Sequence, residues 1–218
     1  MKIYLRDNNS DNLILFFCGW GMDENPFSIL KSDYDILFVY DYVTPDFPEF
    51  DFSKYKSVKL LSFSYGVYAG AIADLPNNLK IDTRVAINGT LIPVDDKLGV
   101  PVRQFELTEK MDSDSVVKFR QRLFGGEQAH NHFEIFEKHL PKRTAKSCTD
   151  ELLGMKKYTP QIPAKQRSFD KIYIGLFDRC VPTRNQMNFW KKDSNSNIIE
   201  LNTGHFPFYN YEKLEELL

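Results

Sequence analysis

Ser64 stands at the centre of a short stretch, Ser62-Phe63-Ser64-Tyr65-Gly66, that could carry nucleophilic chemistry. A serine hydroxyl attacks a carbonyl carbon when a base accepts its proton and a turn exposes it to the substrate. A sharp strand-to-helix turn gives this exposure, and it needs small residues two positions before and after the serine. Ser62 and Gly66 are small, although glycine is more usual at the first of these positions. Taken alone, the stretch also fits an ordinary serine in a strand-to-helix turn.

An acid and a histidine follow later in the chain, each in the loop after an apolar run. Asp178 follows Lys171–Leu176, and His205 follows Ile198–Leu201. Serine, acid and histidine at strand ends, in this order, are typical of α/β-hydrolases. The carboxylate would fix the imidazole tautomer, and the imidazole would take the serine proton and return it to the leaving alcohol. Singly, Asp178 fits a turn cap and His205 a solvated loop residue; together with Ser64 they predict a catalytic triad.

The tetrahedral intermediate of such a reaction carries an oxyanion, which needs preorganised donors, usually two backbone N–H groups. Tyr65, directly after the nucleophile, is predicted to supply one of them. The run Leu13–Phe17 leads into Cys18-Gly19-Trp20-Gly21, whose glycines allow the backbone to turn toward the site. We therefore predict Trp20 N–H as the second donor. Cys18 stands where many hydrolases have histidine, which matters little if the donor is backbone.

These residues need a sheet to position them, and seven short runs rich in β-branched and aromatic residues predict its strands. The runs are Lys2–Leu5, Leu13–Phe17, Ile36–Tyr40, Val58–Phe63, Arg84–Ile87, Lys171–Leu176 and Ile198–Leu201. The middle runs are continuous, as in parallel strands covered on both faces. Helical segments at Tyr65–Ala73 and Thr183–Lys191 give a strand-helix alternation, so the predicted class is α/β with a mostly parallel sheet. The turn-type cluster at 7–12 predicts an antiparallel hairpin of the first two strands.

A charged stretch interrupts this alternation between residues 105 and 166, and Gly125-Gly126 divides it into two helical halves. We interpret it as an inserted helical cap. The predicted division is a hydrolase core in two parts, 1–104 and 167–218, with the predicted cap at 105–166. Residues 110–167 hold 12 Lys and Arg against 7 Asp and Glu, a formal charge of +5, which leaves −7 for the remainder.

Composition excludes several other classes of protein. A formal net charge of −2 argues against a general nucleic-acid binder, which carries a basic excess. No apolar run is long enough to cross a bilayer, and the polar start lacks a signal peptide, so a cytoplasmic location without membrane contact is expected. The scattered Cys18, Cys148 and Cys180 suggest neither disulfides nor a zinc site, and three histidines are expected at the surface: His130, His132 and His139.

Four stretches together resemble a known family: Phe16–Asp23, Ser62–Val67, Ala86–Pro93 and Gly204–Phe208. They are similar to the BioG family, whose members are pimeloyl-acyl carrier protein methyl ester esterases of bacterial biotin synthesis. The likeness runs along nearly the whole chain and is most distinctive at Ile87–Pro93. It implies the α/β-hydrolase fold and release of methanol from pimeloyl-acyl carrier protein methyl ester, with Ser64, Asp178 and His205 at the family's triad positions.

The implied partner is an acyl carrier protein, which is strongly acidic and would be attracted by the basic cap. Arg120, Arg122 and Arg143 are the predicted docking contacts, although such charges are equally typical of a solvated helical insertion. The chemistry requires no metal and no organic cofactor, and a monomer is expected. Two alternatives stay open: another esterase or a thioesterase for small substrates on the same fold, and a catalytically silent α/β-hydrolase acting as a binding module.

Overall fold

The computed structural model describes residues 1–110, 113–164, 168–192 and 197–218, and seven strands of this part form one sheet. The strands are β1 (Lys2–Arg6), β2 (Asn12–Phe17), β3 (Asp35–Tyr40), β4 (Ser57–Phe63), β5 (Thr83–Ile87), β6 (Lys171–Gly175) and β7 (Ile198–Leu201). Their spatial order is β1-β3-β2-β4-β5-β6-β7. Strands β2 to β7 run parallel, and β1 is antiparallel to β3. The predicted α/β class with a mostly parallel sheet is confirmed.

Helices connect the parallel strands. They are α1 (Tyr65–Ile72), α2 (Val102–Thr108), α3 (Ser113–Arg122), α4 (Ala129–Lys138), α5 (Ala145–Tyr158) and α6 (Thr183–Trp190). Helix α1 follows β4 directly, and all eight of its residues are buried because small residues let it lie close to the sheet. Helix α6 joins β6 to β7, and α2 to α5 lie between β5 and β6.

The central strand β2 is buried on both faces. Leu13, Leu15 and Phe17 pack into one apolar cluster, Ile14 and Phe16 pack into the other, and all five are 0% exposed. Successive side chains of a strand point to opposite faces, so a strand between two layers must be apolar at every position. The continuous apolar run of the sequence is the result.

The predicted hairpin of β1 and β2 is wrong, because β3 lies between these two strands. The 7–12 turn reverses the chain as predicted but crosses the amino end of β3. The buried Asp35, the first residue of β3, accepts hydrogen bonds at Oδ1 from the Asn8 and Ser10 N–H groups at 2.8 and 3.1 Å. A carboxylate 25 residues farther along the chain therefore sets the place of this turn, so the local turn signal alone could not give the strand order.

The segment between β5 and β6 is helical, but it holds four described helices where the sequence indicated two halves. Gly125 and Gly126 lie in the connection between α3 and α4, and Gly126 needs its freedom because its φ is +84°. Helix α2 crosses the predicted boundary at 104/105, and the division into core and cap stays a prediction. In the described part of the chain, no helix has the length and apolarity needed to cross a bilayer.

Candidate active site

Ser64 joins β4 to α1 in a strained backbone conformation, with φ 57° and ψ −124°. Gly66 permits this turn, since a Cβ added there would lie 2.2 Å from the carbonyl oxygen of Phe17. The neighbouring Ser62 is fully buried, and its Oγ has no hydrogen-bond partner among the described residues. The turn thus exposes Ser64 to the pocket and keeps Ser62 inside the core.

The three residues predicted as a triad lie in one line of hydrogen bonds. His205 Nε2 is 2.9 Å from Ser64 Oγ, and His205 Nδ1 is 2.8 Å from Asp178 Oδ2. The histidine and the aspartate are buried, at 3% and 7% exposed, so water competes little for these contacts. With the proton on Nδ1 donated to Asp178, Nε2 is free to accept the hydroxyl proton of Ser64.

Asp178 is held by donors that the sequence did not reveal. Its Oδ1 accepts hydrogen bonds from the N–H groups of Cys180 and Val181 at 2.8 and 2.9 Å, in the turn that follows β6. Its Oδ2 accepts one from Gln186 Nε2 at 2.8 Å, in addition to the contact with His205. Gln186 is completely buried on α6. Nothing in the sequence around Gln186 indicates that the folded chain brings it against Asp178.

Asn88, directly after β5, fixes the loop that carries His205. Its Nδ2 donates to the carbonyl oxygens of His205 at 2.7 Å and Gly204 at 3.2 Å, and its Oδ1 accepts from Gly175 N–H at 2.7 Å. The residue is 1% exposed and has a φ of +48°, a region in which asparagine is favoured over most residues. The sequence placed Asn88 in a distinctive segment but gave it no role.

The connection between α3 and α4 supports the same histidine loop. Gly204 N–H donates to the Gly125 carbonyl at 3.1 Å, and Phe206 N–H donates to the Leu123 carbonyl at 2.9 Å. Close contact is required here, because a Cβ on Gly204 would lie 2.4 Å from Gly125 N. Residues of the predicted cap therefore bind the backbone on both sides of His205.

The two predicted oxyanion donors line the pocket that contains Ser64. Trp20 follows β2 and Tyr65 begins α1, and both border this pocket together with Ser64 and His205. Neither N–H donates to another protein group among the described residues, which leaves both groups available to a ligand. The Tyr65 N–H belongs to the first turn of a helix, where donors have no partner within the helix.

The pocket above Ser64 is mainly apolar. Its wall includes side chains from the loops after β2 and β5 and from α2, α3 and α5: Met22, Val94, Phe105, Phe119, Leu152 and Met155. Polar groups are few, among them Thr90, Gln104 and Thr108. An apolar pocket with a small number of polar groups near a nucleophile suits an ester with a hydrocarbon chain.

Within the described residues, one group of three possible metal ligands lies within 4.8 Å: Asp178, Cys180 and His205. Both oxygens of Asp178 already accept hydrogen bonds, and His205 uses both ring nitrogens in the contacts above. Burial raises the pKa of the Cys180 thiol well above its ordinary value, so the thiolate that a metal would bind is disfavoured. The donor set fits a hydrogen-bonded triad better than a metal centre.

The predicted docking arginines lie in different surroundings. The Arg143 side chain is 7% exposed, and its guanidinium forms ion pairs with Asp41 and Glu151, both at 3.2 Å, which argues against the predicted docking contact. Arg122 is exposed and donates to the Arg179 carbonyl at 3.2 Å. Arg120 is half-buried, and desolvation lowers its pKa. The docking role of Arg120 and Arg122 stays a prediction.

Comparison with known proteins gives one family for the whole chain. Residues 1–217 match the family model described as pimeloyl-ACP methyl esterase BioG. A curated relative, the malonyl-[acyl-carrier protein] O-methyltransferase of Bacteroides fragilis (strain 638R), is 34% identical over 184 residues. The aligned region is 84% of this chain and 37% of the relative, so the chain spans little more than a third of that protein's length.

Solved structures agree on the fold. The crystal structure of BioG from Haemophilus influenzae aligns with a TM-score of 0.85 at 24% identity, covering 100% of this chain and 99% of that one. An esterase from Exiguobacterium antarcticum aligns with a TM-score of 0.64 at 15% identity, covering 95% and 90%. The predicted α/β-hydrolase fold is confirmed.

The resemblance that the four sequence stretches indicated is also confirmed, and the esterase activity expected from the sequence is the one that the family's description gives. The family model matches residues 1–217, and the aligned BioG structure covers 100% of this chain. The chain belongs to the pimeloyl-ACP methyl esterase BioG family.

Proposed function

We propose that this chain hydrolyses the methyl ester of pimeloyl-acyl carrier protein through an acyl-enzyme formed on Ser64. The observation that carries the proposal is the line of hydrogen bonds from Ser64 through His205 to Asp178, which opens into an apolar pocket. A nucleophile, a base and a group that orients the base are the parts that acyl transfer requires.

In the first half of the reaction, Ser64 Oγ attacks the carbonyl carbon of the methyl ester while His205 Nε2 takes the hydroxyl proton. Negative charge then develops on the carbonyl oxygen, and the N–H groups of Trp20 and Tyr65 stabilise it. Asp178 stabilises the imidazolium that forms. When the tetrahedral intermediate collapses, the carbon–oxygen bond to the methoxy group breaks, and His205 returns its proton so that methanol leaves.

In the second half, water replaces methanol as the nucleophile. His205 takes a proton from the water as its oxygen attacks the acyl-enzyme carbonyl, and the same two N–H groups receive the second oxyanion. Collapse breaks the bond between the acyl carbon and Ser64 Oγ, and His205 gives its proton to that oxygen. The product is a carboxylic acid, which loses its remaining proton to solvent and becomes a carboxylate, and the enzyme returns to its starting state.

An exposed groove beside the pocket supports the acyl carrier protein as partner. Four cationic side chains border it, Arg103, Lys110, Lys118 and Arg122, and no carboxylate does so among the described residues. The groove shares Gln104, Thr108 and Phe119 with the pocket above Ser64, so a protein bound there could deliver its acyl chain. An acidic carrier protein has the complementary charge.

The relative from Bacteroides fragilis supports the same substrate class. Its name describes methyl transfer to malonyl-acyl carrier protein, and transfer of a methyl group to a carboxyl is the chemical counterpart of methyl ester hydrolysis. The match covers 37% of that protein, so the methyltransferase activity in its name need not reside in the region that resembles this chain. The likeness favours a carboxyl methyl ester on an acyl carrier protein over an unrelated small ester.

The replacement Ser64→Ala tests the proposal, with Ser62→Ala as a matched control. Ser64→Ala removes the nucleophile, so we expect kcat for pimeloyl-acyl carrier protein methyl ester to fall by about 10⁴-fold or more. Ser62→Ala removes a buried hydroxyl without a described partner, so its activity should stay within about twofold of wild type. Methanol release and thermal unfolding are measured for all three proteins.

Residual turnover in Ser64→Ala of more than a few per cent would refute the acyl-enzyme mechanism. A wild type that cleaves a p-nitrophenyl ester but not the carrier-linked ester would leave the triad in place and point to a small-ester esterase. A fluorophosphonate that fails to label Ser64 would favour the binding-module alternative.

A further inference from the structure

A segment of the predicted cap binds the loop that carries the proposed donor Trp20. We name residues 18–23, which follow β2, the oxyanion loop. Trp20 Nε1 donates to the Cys148 carbonyl on α5 at 2.9 Å, and Gly21 N–H donates to Glu151 Oε2 at 3.1 Å. These two contacts fix residue 20 through its side chain and through the peptide that follows it.

The same segment binds the rest of the oxyanion loop. Arg143 Nη1 donates to the Met22 carbonyl at 3.2 Å, and Lys142 N–H donates to Asp23 Oδ2 at 2.7 Å. The contacts therefore run from Trp20 to Asp23 without interruption. All of them come from residues 142–151, which are more than 115 positions away in sequence.

Glu151 is the centre of these contacts. Its side chain is 0% exposed, its Oε1 accepts from Tyr42 N–H at 3.0 Å, and its Oε2 lies 3.2 Å from Arg143 Nη2. Arg143 in turn lies 3.2 Å from Asp41. Each oxygen of Glu151 thus meets one backbone N–H, and Glu151 shares the Arg143 guanidinium with Asp41, which also pairs with Lys2 at 2.8 Å.

A purely structural role accounts poorly for this arrangement. Burying a carboxylate with its counter-ion is costly, and apolar side chains of similar size often stabilise a fold as well or better. A carboxylate provides what an apolar residue cannot, a rigid pair of acceptors for two loop N–H groups. One of these groups, that of Gly21, is adjacent to the residue proposed to bind the oxyanion.

We propose that Glu151 is a positioning residue for catalysis: held by Arg143, it fixes the Trp20–Gly21 peptide so that the Trp20 N–H meets the developing oxyanion. The inference rests on the proposed function, since it takes Trp20 as an oxyanion donor. A donor that shifts by a fraction of an ångström stabilises the transition state less while substrate binding changes little.

The test compares Glu151→Ala and Glu151→Gln with wild type on p-nitrophenyl butyrate, a small ester that needs no carrier protein. We expect Glu151→Ala to lower kcat about 10- to 100-fold with KM within about twofold, because one oxyanion donor is displaced but still present. Glu151→Gln retains one acceptor oxygen, so its loss should be smaller. A trifluoromethyl ketone, which forms a tetrahedral oxyanion adduct with serine, should bind each variant more weakly by the factor lost in kcat/KM.

Asp35→Asn is the matched control. Asp35 is also fully buried and carries an ion pair, to Lys54 at 2.7 Å, but it lies at the amino end of β3, opposite the pocket. It should lose stability without losing kcat or ketone affinity. If Glu151→Ala fails to fold, Glu151→Gln provides the same comparison.

Two outcomes would overturn the inference. In one, the Glu151 variants lose stability but keep kcat within twofold; in the other, kcat falls while ketone affinity stays at the wild-type value. Failure of the proposed function looks different, because Ser64→Ala would then retain turnover whatever the Glu151 variants do. The two ideas can thus fail separately.

Discussion

At the scale of single residues, the site depends on side chains that hold the proposed catalytic groups as much as on those groups themselves. Asn88 is the clearest case, because one amide binds the His205 loop and the end of β6 together. Gln186 holds Asp178 in a similar way, because its Nε2 donates to Asp178 Oδ2. The hydrogen-bond distances of 2.8 and 2.9 Å in the proposed triad therefore rest on buried amides from two other elements.

Replacing Asn88 tests this dependence. Asn88→Ala leaves the Gly175 N–H and the carbonyls of Gly204 and His205 without their partner, so we expect unfolding free energy to fall by about 2–4 kcal/mol. Because the His205 loop loses its anchor, kcat should also fall about tenfold. Urea denaturation and ester hydrolysis measure the two effects.

Asn185 offers a matched control for this variant. It is likewise a buried asparagine that donates Nδ2 to two carbonyls, those of Asp96 at 3.1 Å and Gly99 at 2.8 Å, but it does not contact the triad. Asn185→Ala should lose stability and keep kcat. Equal effects of both variants on kcat would contradict a special role for Asn88.

The sequence predicted residues whose signal is local and missed those whose partners are distant. Ser64 follows β4 directly, and Asp178 and His205 lie within four residues of the ends of β6 and β7, so their places could be derived from the runs before them. Glu151 and Asn88 act on groups about 110 to 130 positions away, and no periodicity or spacing reveals that.

Arg143 shows the converse case. Its charge was visible in the sequence and suggested an exposed docking contact. Its counter-ions, Asp41 and Glu151, lie 102 and 8 positions away, and only the folded chain places them around the guanidinium. Charge is a property of the residue, whereas exposure depends on the packing of other elements.

At the scale of elements, the contact of α5 with the loops that follow β2 and β3 contains a carboxyl group that titrates. Burial raises the pKa of Glu151 from its ordinary 4.5 to about 7. Arg143 and Asp41 face it, and burial raises the pKa values of the neighbouring Tyr42 and Tyr158 phenols, so these stay neutral. Burial also raises the pKa of the nearby Cys148 thiol, to about 11.

The shift predicts a pH-dependent stability with a defined sign. Between pH 4.5 and about 7 the folded protein holds the Glu151 proton more tightly than the unfolded chain does, so stability falls as pH rises through this window. The group contributes at most about 3 kcal/mol over the window. The unfolding free energy of the wild type minus that of Glu151→Gln should therefore decrease from pH 4.5 to 7. Above pH 7 this difference should level off. A difference independent of pH would contradict the shift.

At the scale of the whole molecule, charge is distributed unevenly. The chain has a formal net charge of −2, yet residues 110–167 carry +5, and the cationic groove shares Gln104, Thr108 and Phe119 with the pocket above Ser64. An acidic partner would thus be attracted toward the groove rather than toward the rest of the surface.

Charge reversal in the groove tests this attraction. For Lys118→Glu/Arg122→Glu we expect kcat/KM on pimeloyl-acyl carrier protein methyl ester to fall about 10- to 100-fold, mainly through KM, with p-nitrophenyl butyrate unaffected. Lys31→Glu/Lys80→Glu is the control, since these lysines are 73% and 89% exposed and precede β3 and β5 at the opposite edge of the sheet. The same net charge is lost in both. Equal losses in the two double variants would refute the groove as the docking surface.

The hydrogen bonds from the predicted cap to the loops of His205 and Trp20 limit how this protein could be redesigned. Residues 123–125 bind the loop of His205, and residues 142–151 bind the loop of Trp20. A chimaera that exchanged the whole insertion for another would therefore replace supports of both loops along with the substrate pocket. Designs that retain these two short segments and vary the outward faces of α3 and α4 would separate specificity from turnover.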